Sequence, residues 1–354
     1  MIQANDFRRQ WEDIREDALA AFERVGSSGW YVLGEEVRTF EQELAAFWGF
    51  PHAAGVGSGL DAIEISLRAL GCGPGSRVLT TPISAFATTL AIVKTGAVPV
   101  FADTDEHGLI DLEQCEALLR RRSDIRFFVP VHLYGFALDS NALLRLRDDH
   151  ELRMLEDCAQ SVAGAGAVAA TSFYPTKNLG AIGDGGAILM QDAALDTRVR
   201  VLRDYGQSSK YQHDCIGYNS RLDELQAAFL RRVCLPRLPR WLARRREIAA
   251  AYLKGIKNPG VRVPVPPAGS DACWHLFPIW IEPERREAFV RQHNVGVHYP
   301  VAIPDQKALR EVPFEAPFGF EKARKLCASE VSLPVHPYLD DGEIAEVIQA
   351  VNAF

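Results

Sequence analysis

The residues best suited to chemistry gather around one lysine. Ser172-Phe173-Tyr174-Pro175-Thr176-Lys177-Asn178-Leu179-Gly180, followed by Gly183-Asp184-Gly185-Gly186, places Lys177 in a glycine-rich turn after an aromatic β-type run. A lysine buried or constrained in such a turn can lose its proton and attack a carbonyl, forming a Schiff base. An exposed turn lysine is the ordinary alternative. Twenty residues earlier, Arg153-Met154-Leu155-Glu156-Asp157 reads as a strand with a carboxylate at its carboxyl end. Asp157 can keep a heteroaromatic nitrogen protonated, or it can cap a following helix. Gln160, three residues on, is placed to hydrogen-bond a ring hydroxyl.

A third element is Gly55-Val56-Gly57-Ser58-Gly59-Leu60-Asp61, which follows an apolar stretch and opens a helix. Free backbone N–H groups and the helix dipole then point at one spot, an arrangement that suits a phosphate. Ala62 breaks the dinucleotide fingerprint G-x-G-x-x-G, and the G-x-x-x-x-G-K-[ST] nucleotide loop is missing. Phe86 begins the next helix and can either stack on a flat ring or pack in the core. Ser172 can donate to a phosphate or merely satisfy a strand end. In chain order these elements are a phosphate turn at Ser58, Gly59 and Leu60, a stacking aromatic, an aspartate and a lysine. That order matches a fold type I enzyme using pyridoxal 5'-phosphate.

Such a site needs a particular scaffold. Between about residues 53 and 190, short apolar runs (Arg77–Thr81, Val98–Phe101, Phe127–Val131, Arg153–Leu155) alternate with helical stretches (Asp61–Leu70, Phe86–Thr95, Leu112–Arg122, Ser140–Asp148). Alternation of this kind predicts an α/β fold with a mainly parallel, doubly wound sheet whose ligands sit beyond the strands' carboxyl ends. Ahead of it, Asp6 can cap a helix reaching about Arg24, and a second helix covers about Glu35 to Phe47. A long helical tract, Leu222–Gly255, carries the basic run Arg240–Arg246, with Pro236 and Pro239 marking a bend or break. Most of those arginines read as a solvated face. The texture change divides the chain into a large domain, residues 1–235, and a smaller C-terminal α/β domain, residues 236–354. The N-terminal helices are free to pack on either.

Composition narrows the function classes. The chain has 354 residues, 47% of them hydrophobic and 24% charged, within the range of soluble globular proteins. A net charge of −7 gives no broad attraction to nucleic acid or anionic lipid. No run approaches the roughly 18 apolar residues of a membrane helix, and Met1-Ile2-Gln3-Ala4-Asn5-Asp6 lacks signal-peptide character. The seven cysteines are scattered without C-x-x-C spacing, which points to neither disulfides nor a zinc site and to a reducing cytoplasm. The histidines, His52 and His275 included, show no metal-ligand pattern.

The sequence resembles the nucleotide-sugar aminotransferases of the DegT family over nearly its whole length. The likeness rests on Gly29-Trp30-Tyr31-Val32-Leu33-Gly34, Gly59-Leu60-Asp61-Ala62, Val131-His132-Leu133-Tyr134-Gly135, Glu156-Asp157-Cys158-Ala159-Gln160, the Lys177 segment and Gly217 to Ala228. The resemblance implies the aspartate-aminotransferase-like fold, a homodimer with shared active sites, and L-glutamate as amino donor in ping-pong turnover. By matching positions it also implies that Asn219 reaches the cofactor phosphate of the neighbouring subunit. Lys210 and Arg244 would contact the substrate pyrophosphate from the partner chain, and Tyr174, His298 and Tyr299 would face the sugar. Trp30-Tyr31-Val32-Leu33-Gly34, Leu60 where many members carry Thr, and Asn219-Ser220-Arg221-Leu222-Asp223 resemble the branch that aminates C3 of dTDP-3-keto-6-deoxyhexoses; members acting at C4 more often read Asn-Tyr-Arg at Asn219. Relatives that dehydrate instead carry His at the lysine position, and Lys177 argues against that chemistry. Departures are the short, histidine-free stretch Ser161–Ala170, Ala85 in place of Thr, and Phe136 in place of a polar residue. They bear on the pocket rim.

Three rivals remain at the level of sequence, the first a C4 aminotransferase of a nucleotide-4-keto-sugar. Another enzyme on the same scaffold would share Lys177 and Asp157 but would carry an arginine for an α-carboxylate. A non-catalytic, cofactor-binding regulator would be expected to bring a DNA-binding module or an added basic domain, and neither is visible.

Overall fold

The computed structural model describes residues 2–162, 164, 166–267, 270, 272–293 and 295–354. Residues 163 and 165 of the short stretch 161–170 therefore lie outside the described residues. The strands are β1 (His52–Val56), β2 (Arg77–Thr80), β3 (Val98–Phe101), β4 (Ile125–Val129), β5 (Arg153–Met154), β6 (Glu156–Asp157), β7 (Val168–Ser172), β8 (Gly186–Met190), β9 (Gln207–Ser209), β10 (Gln212–His213), β11 (Val261–Arg262), β12 (Phe277–Ile281) and β13 (Glu330–Leu333). The helices are α1 (Phe7–Ser28), α2 (Glu35–Trp48), α3 (Gly59–Ala69), α4 (Phe86–Lys94), α5 (Leu112–Leu119), α6 (Ser140–Asp149), α7 (Ala193–Arg203), α8 (Glu224–Phe229), α9 (Leu238–Gly255), α10 (Pro283–His293), α11 (Glu321–Ser329) and α12 (Asp341–Ala353).

The alternating region folds as the expected α/β sheet. β5 and β6 are halves of one strand that changes partners at Leu155: β5 pairs with β4, and β6 pairs with β7. Leu155 N and Asp157 N donate to Phe128 O and Pro130 O at 3.0 and 2.9 Å, which keeps the second half beside the extension of β4. The strand order is thus β3-β2-β4-β5/β6-β7-β8-β1, parallel except that β8 runs against both its neighbours. These strands are nearly continuous runs of buried residues, as a sheet covered on both faces requires. α3 packs on β7 and β8 beside α4 and α7.

The second unit carries an antiparallel sheet, β11-β12-β13, with α9 to α12 around it. Its core runs without a break into that of the large sheet: Leu79 and Phe128 belong to the same buried cluster as Ile248, Phe277 and Val331. The expected bend or break in the long helical tract is a break in the α-helix. A π-turn (Leu230–Cys234) and a 3-10 turn (Leu235–Arg237) separate α8 from α9, where Pro236 removes a helical N–H donor.

Local chemistry sets the N-terminal elements. The Asp6 carboxylate caps α1, accepting from Arg8 N and Arg9 N at 3.1 and 3.0 Å, and α1 runs on to Ser28 before Gly29 ends it at φ 67°. α2 has no capping side chain of its own. The buried carboxylate of Glu224, 190 residues from Gly34, accepts instead from Gly34 N, Glu36 N and Val37 N at 2.7, 3.0 and 2.9 Å. That cap joins the Gly29–Gly34 and Gly217–Ala228 segments in space.

The basic run Arg240–Arg246 is not uniformly a solvated face. Arg245 is buried, and its Nη1 donates to Val335 O at 2.9 Å and to Trp274 O and His275 O at 3.3 Å. The two hydrogens of Nη1 serve the three carbonyls, the two 3.3 Å contacts sharing one of them.

Candidate active site

Asp157 ends β6 and is buried. Its Oδ1 accepts from Ala159 N at 3.0 Å and its Oδ2 from Thr88 Oγ1 at 2.8 Å; Thr88 in turn lies 2.8 Å from Ser84 Oγ. Two donors steady a charge that burial alone would disfavour. Among the described residues no helix starts at Asp157, so it is not a helix cap. Thr88 sits in the first turn of α4, the helix that Phe86 begins, so the aromatic and the carboxylate are held by the same element.

Lys177 follows the end of β7, its backbone N donating to Tyr174 O at 2.8 Å. Burial brings its amine down to about 8, and the charge of Asp157 works in the opposite direction. An amine so placed exchanges protons at ordinary pH, as a general base and acid must.

The N-terminus of α3 meets the same strand ends. Ser58 caps the helix through Asp61 N at 3.1 Å. A Cβ at Gly59 would lie 2.6 Å from Ser172 Cβ, and one at Gly186 would lie 2.5 Å from Ser58 O. Only glycine permits this approach, which leaves the first amides of α3 and the Ser172 hydroxyl side by side. Ser58, Gly59, Leu60 and Ser172 are all partly open to solvent.

Gln160 is buried, accepting from Tyr134 N at 2.6 Å and donating to Tyr299 OH at 3.0 Å. Tyr299 also feels the charge of Asp157, and burial pushes its hydroxyl up. Tyr134 OH donates to His298 O at 2.9 Å. His298 feels the charge of Lys177, and burial lowers it to about 4. Tyr174 is exposed beside the lysine turn. Asp157, Gln160, Lys177, His298 and Tyr299 thus converge within one chain.

Three further candidates lie apart from that cluster. Lys210 stands in the exposed turn between β9 and β10, its Nζ 5.2 Å from the Tyr211 ring. Arg244 is engaged on its own chain, donating to Asp341 Oδ1 and Leu339 O at 2.8 Å. Asn219 is exposed and accepts from Arg221; the adjacent Ser220 Oγ accepts from Gly57 N at 2.9 Å and donates to Asp61 Oδ2 at 2.6 Å.

Sequence reasoning passed over Thr88, Ser84, Tyr134, Glu330 and Ser332. Thr88 carried one usable signal, its place two residues after Phe86 at a helix start beyond a strand end. Phe136, read as a departure at the rim, is fully buried, edge-on to Tyr134 and Trp274.

The model of the DegT/DnrJ/EryC1/StrS aminotransferase family matches residues 12–352. The chain belongs to this family. It is 40% identical over 365 residues to a dTDP-3-amino-3,4,6-trideoxy-alpha-D-glucose transaminase of Streptomyces venezuelae, covering 98% of this chain and 94% of that one. It is 38% identical over 369 residues to a dTDP-3-amino-3,6-dideoxy-alpha-D-galactopyranose transaminase of Aneurinibacillus thermoaerophilus, covering 100% and 99%. The X-ray structure of S. venezuelae DesV superposes with a TM-score of 0.93 at 39% identity, covering 98% of this chain and 96% of that one. Within this aminotransferase, no helix of the described residues is long and apolar enough to cross a membrane.

Proposed function

We propose that this aminotransferase uses pyridoxal 5'-phosphate to carry an amino group from L-glutamate to C3 of a dTDP-linked 3-keto-6-deoxyhexose. The observation that carries the reading is the buried, doubly hydrogen-bonded Asp157 acting on the electrostatics of Lys177, beside a helix N-terminus opened by Gly59. These residues fit the cofactor: a carboxylate for the ring nitrogen, an amine of lowered basicity for the aldehyde, and free amides with a hydroxyl for the phosphate. When bound, the cofactor supplies a reactive aldehyde and a ring that accepts electrons.

The chain's own residues do the rest. Asp157 would hold the proton on the ring nitrogen. Ser58, Gly59, Leu60 and Ser172 would hold the phosphate, joined by Asn219 of the other subunit in a homodimer, and Phe86 and Gln160 would hold the ring and its hydroxyl. With the cofactor bound, the Lys177 amine would serve as general base toward the α-carbon proton of the amino donor and as general acid in the reverse direction with the keto sugar. Tyr174, His298 and Tyr299 bound the sugar, and Lys210 and Arg244 serve its diphosphate. The two relatives named for dTDP-3-amino sugars support the choice of C3. A cytoplasmic enzyme divided into units 1–235 and 236–354 completes the reading.

The decisive experiment is turnover with L-glutamate and dTDP-3-keto-6-deoxyglucose or its galacto epimer, the aminated carbon read by NMR. A 3-amino product and 2-oxoglutarate are expected, both lost in Lys177→Ala. Amination only at C4, or full turnover by Lys177→Ala, would overturn the proposal. Mixing Lys177→Ala with Asn219→Ala subunits is expected to restore part of the activity, because half of the composite sites then keep both residues. No recovery in verified heterodimers would refute the shared site.

A further inference from the structure

Behind the sugar-facing side of the cluster, His298 and two side chains of β13 form one hydrogen-bonded line. His298 Nδ1 lies 2.9 Å from Ser332 Oγ, which lies 2.5 Å from Glu330 Oε1. The other Glu330 oxygen accepts from His298 N at 2.6 Å, closing the line into a ring. Backbone pairing holds it in place, since Ser332 N donates to Gly296 O at 2.9 Å. Glu330 has no exposed surface, and Ser332 is buried. Among the described residues, His298 Nε2 has no hydrogen-bond partner, and His298 lines a small cavity shared with Thr176, His275 and Ser332.

We infer that Glu330 is a positioning residue for the aminotransferase site: through Ser332 it decides which ring nitrogen of His298 carries the proton, and so whether Nε2 donates to or accepts from a sugar oxygen. The inference rests on the proposed function for the identity of the ligand, but not for the state of the imidazole.

The protons available to the three groups define two states. Burial and the facing charge of Lys177 keep His298 neutral at ordinary pH, so the imidazole holds one proton. Ser332 has one hydroxyl hydrogen to give. With Glu330 protonated, Glu330 donates to Ser332, Ser332 donates to His298 Nδ1, and the imidazole proton sits on Nε2, ready to donate. With Glu330 ionised, the Ser332 hydrogen turns to the carboxylate, Nδ1–H donates to Ser332, and Nε2 becomes an acceptor. His298 N–H has an acceptor in both states, so neither leaves a buried polar group unpaired. Burial raises the Glu330 carboxyl to about 8 despite the Ser332 and His298 N hydrogen bonds and the charge of Arg286. The donor form therefore prevails at neutral pH and the acceptor form above about pH 8. Tyr134, Tyr299 and Cys327 also face Glu330, all neutral there because burial raises each of them. His275 and Lys177 face His298.

The test uses the 15N-histidine-labelled holoenzyme, its His298 signals assigned by their loss in His298→Gln. The Nδ1 and Nε2 shifts of the wild type are expected to exchange their protonated and bare characters as pH is raised from 6.5 to 9.5. Glu330→Gln, whose amide oxygen is taken by His298 N–H so that its NH2 faces Ser332, is expected to hold the Nε2–H form throughout. Ser332→Ala is expected to abolish the pH response, and Ser332→Thr to restore it. With the keto sugar, Ser332→Ala should lower kcat/KM about tenfold while the glutamate half-reaction is unchanged. A wild-type His298 whose tautomer is the same across the range, or the same response in Glu330→Gln, overturns the inference. The wild-type titration needs no variant to fold. A tautomer change in an enzyme that does not aminate the sugar would sink the proposed substrate alone.

Discussion

Thr88 Oγ1 donates to Asp157 Oδ2 across 2.8 Å, tying the first turn of α4 to the end of β6. This bond fixes the plane of the carboxylate, because Ala159 N holds the other oxygen at 3.0 Å. Asp157→Asn should keep the fold and lose activity on the order of a hundredfold, since a neutral amide cannot hold the charge of a protonated ring nitrogen. Thr88→Val should cost about tenfold or less, the charge being kept and one donor lost. Steady-state kinetics on both variants check the ranking; near-normal rates for Asp157→Asn would make that residue merely structural.

A second prediction concerns pH. Burial, offset in part by Asp157, holds the Lys177 amine at about 8 in the fold, whereas an unfolded lysine titrates near 10.4, roughly. Between those values the unfolded chain binds more protons, so stability rises with pH there; below the folded value the cost of the buried charge is fully present. In the cofactor-free protein, Lys177→Met should raise the melting temperature by about 2–4 °C at pH 7. That gain should fade towards pH 10.5, roughly the unfolded value. A gain independent of pH would show that the amine is not held in the lowered range.

Gly59 tests the phosphate cradle. A methyl group there would sit 2.6 Å from Ser172 Cβ, so Gly59→Ala should push α3 away from β7 and weaken cofactor binding by about tenfold or more. Removing the opposing Cβ in Gly59→Ala/Ser172→Gly should recover most of the packing. Equilibrium titration with pyridoxal 5'-phosphate decides, and unaltered affinity in the single variant would place the phosphate elsewhere.

Arg245 joins the two sheets by serving Val335 O, Trp274 O and His275 O. Arg245→Ala strands those buried carbonyls and should cost on the order of 3 kcal/mol in urea unfolding. Arg245→Lys should recover only part of it, because a compact ammonium cannot span the three acceptors. Arg240→Ala, which loses only an exposed pair with Asp13, should change stability by less than about 1 kcal/mol.

The alternation of apolar runs and helical stretches was enough to place the sheet, and Asp157 and Lys177 stood out by residue type at predicted strand ends. The break at Pro236 and the Asp6 cap were also readable, because proline geometry and capping act within a few residues. Local spacing carried that much because strand, helix and turn preferences are decided by near neighbours.

Tertiary structure alone decided the rest. Asp157 takes its second donor from Thr88, 69 positions away, and the Glu224 cap lies 190 positions from Gly34. Arg245 sits in the same basic run as the exposed Arg240, yet α9 points it at three carbonyls inside the protein. The line Glu330–Ser332–His298 exists only because β13 pairs with the segment at Gly296. Contacts of this kind are set by which strands the chain lays side by side, and that choice is made by burial of the whole core rather than by any short stretch of residues.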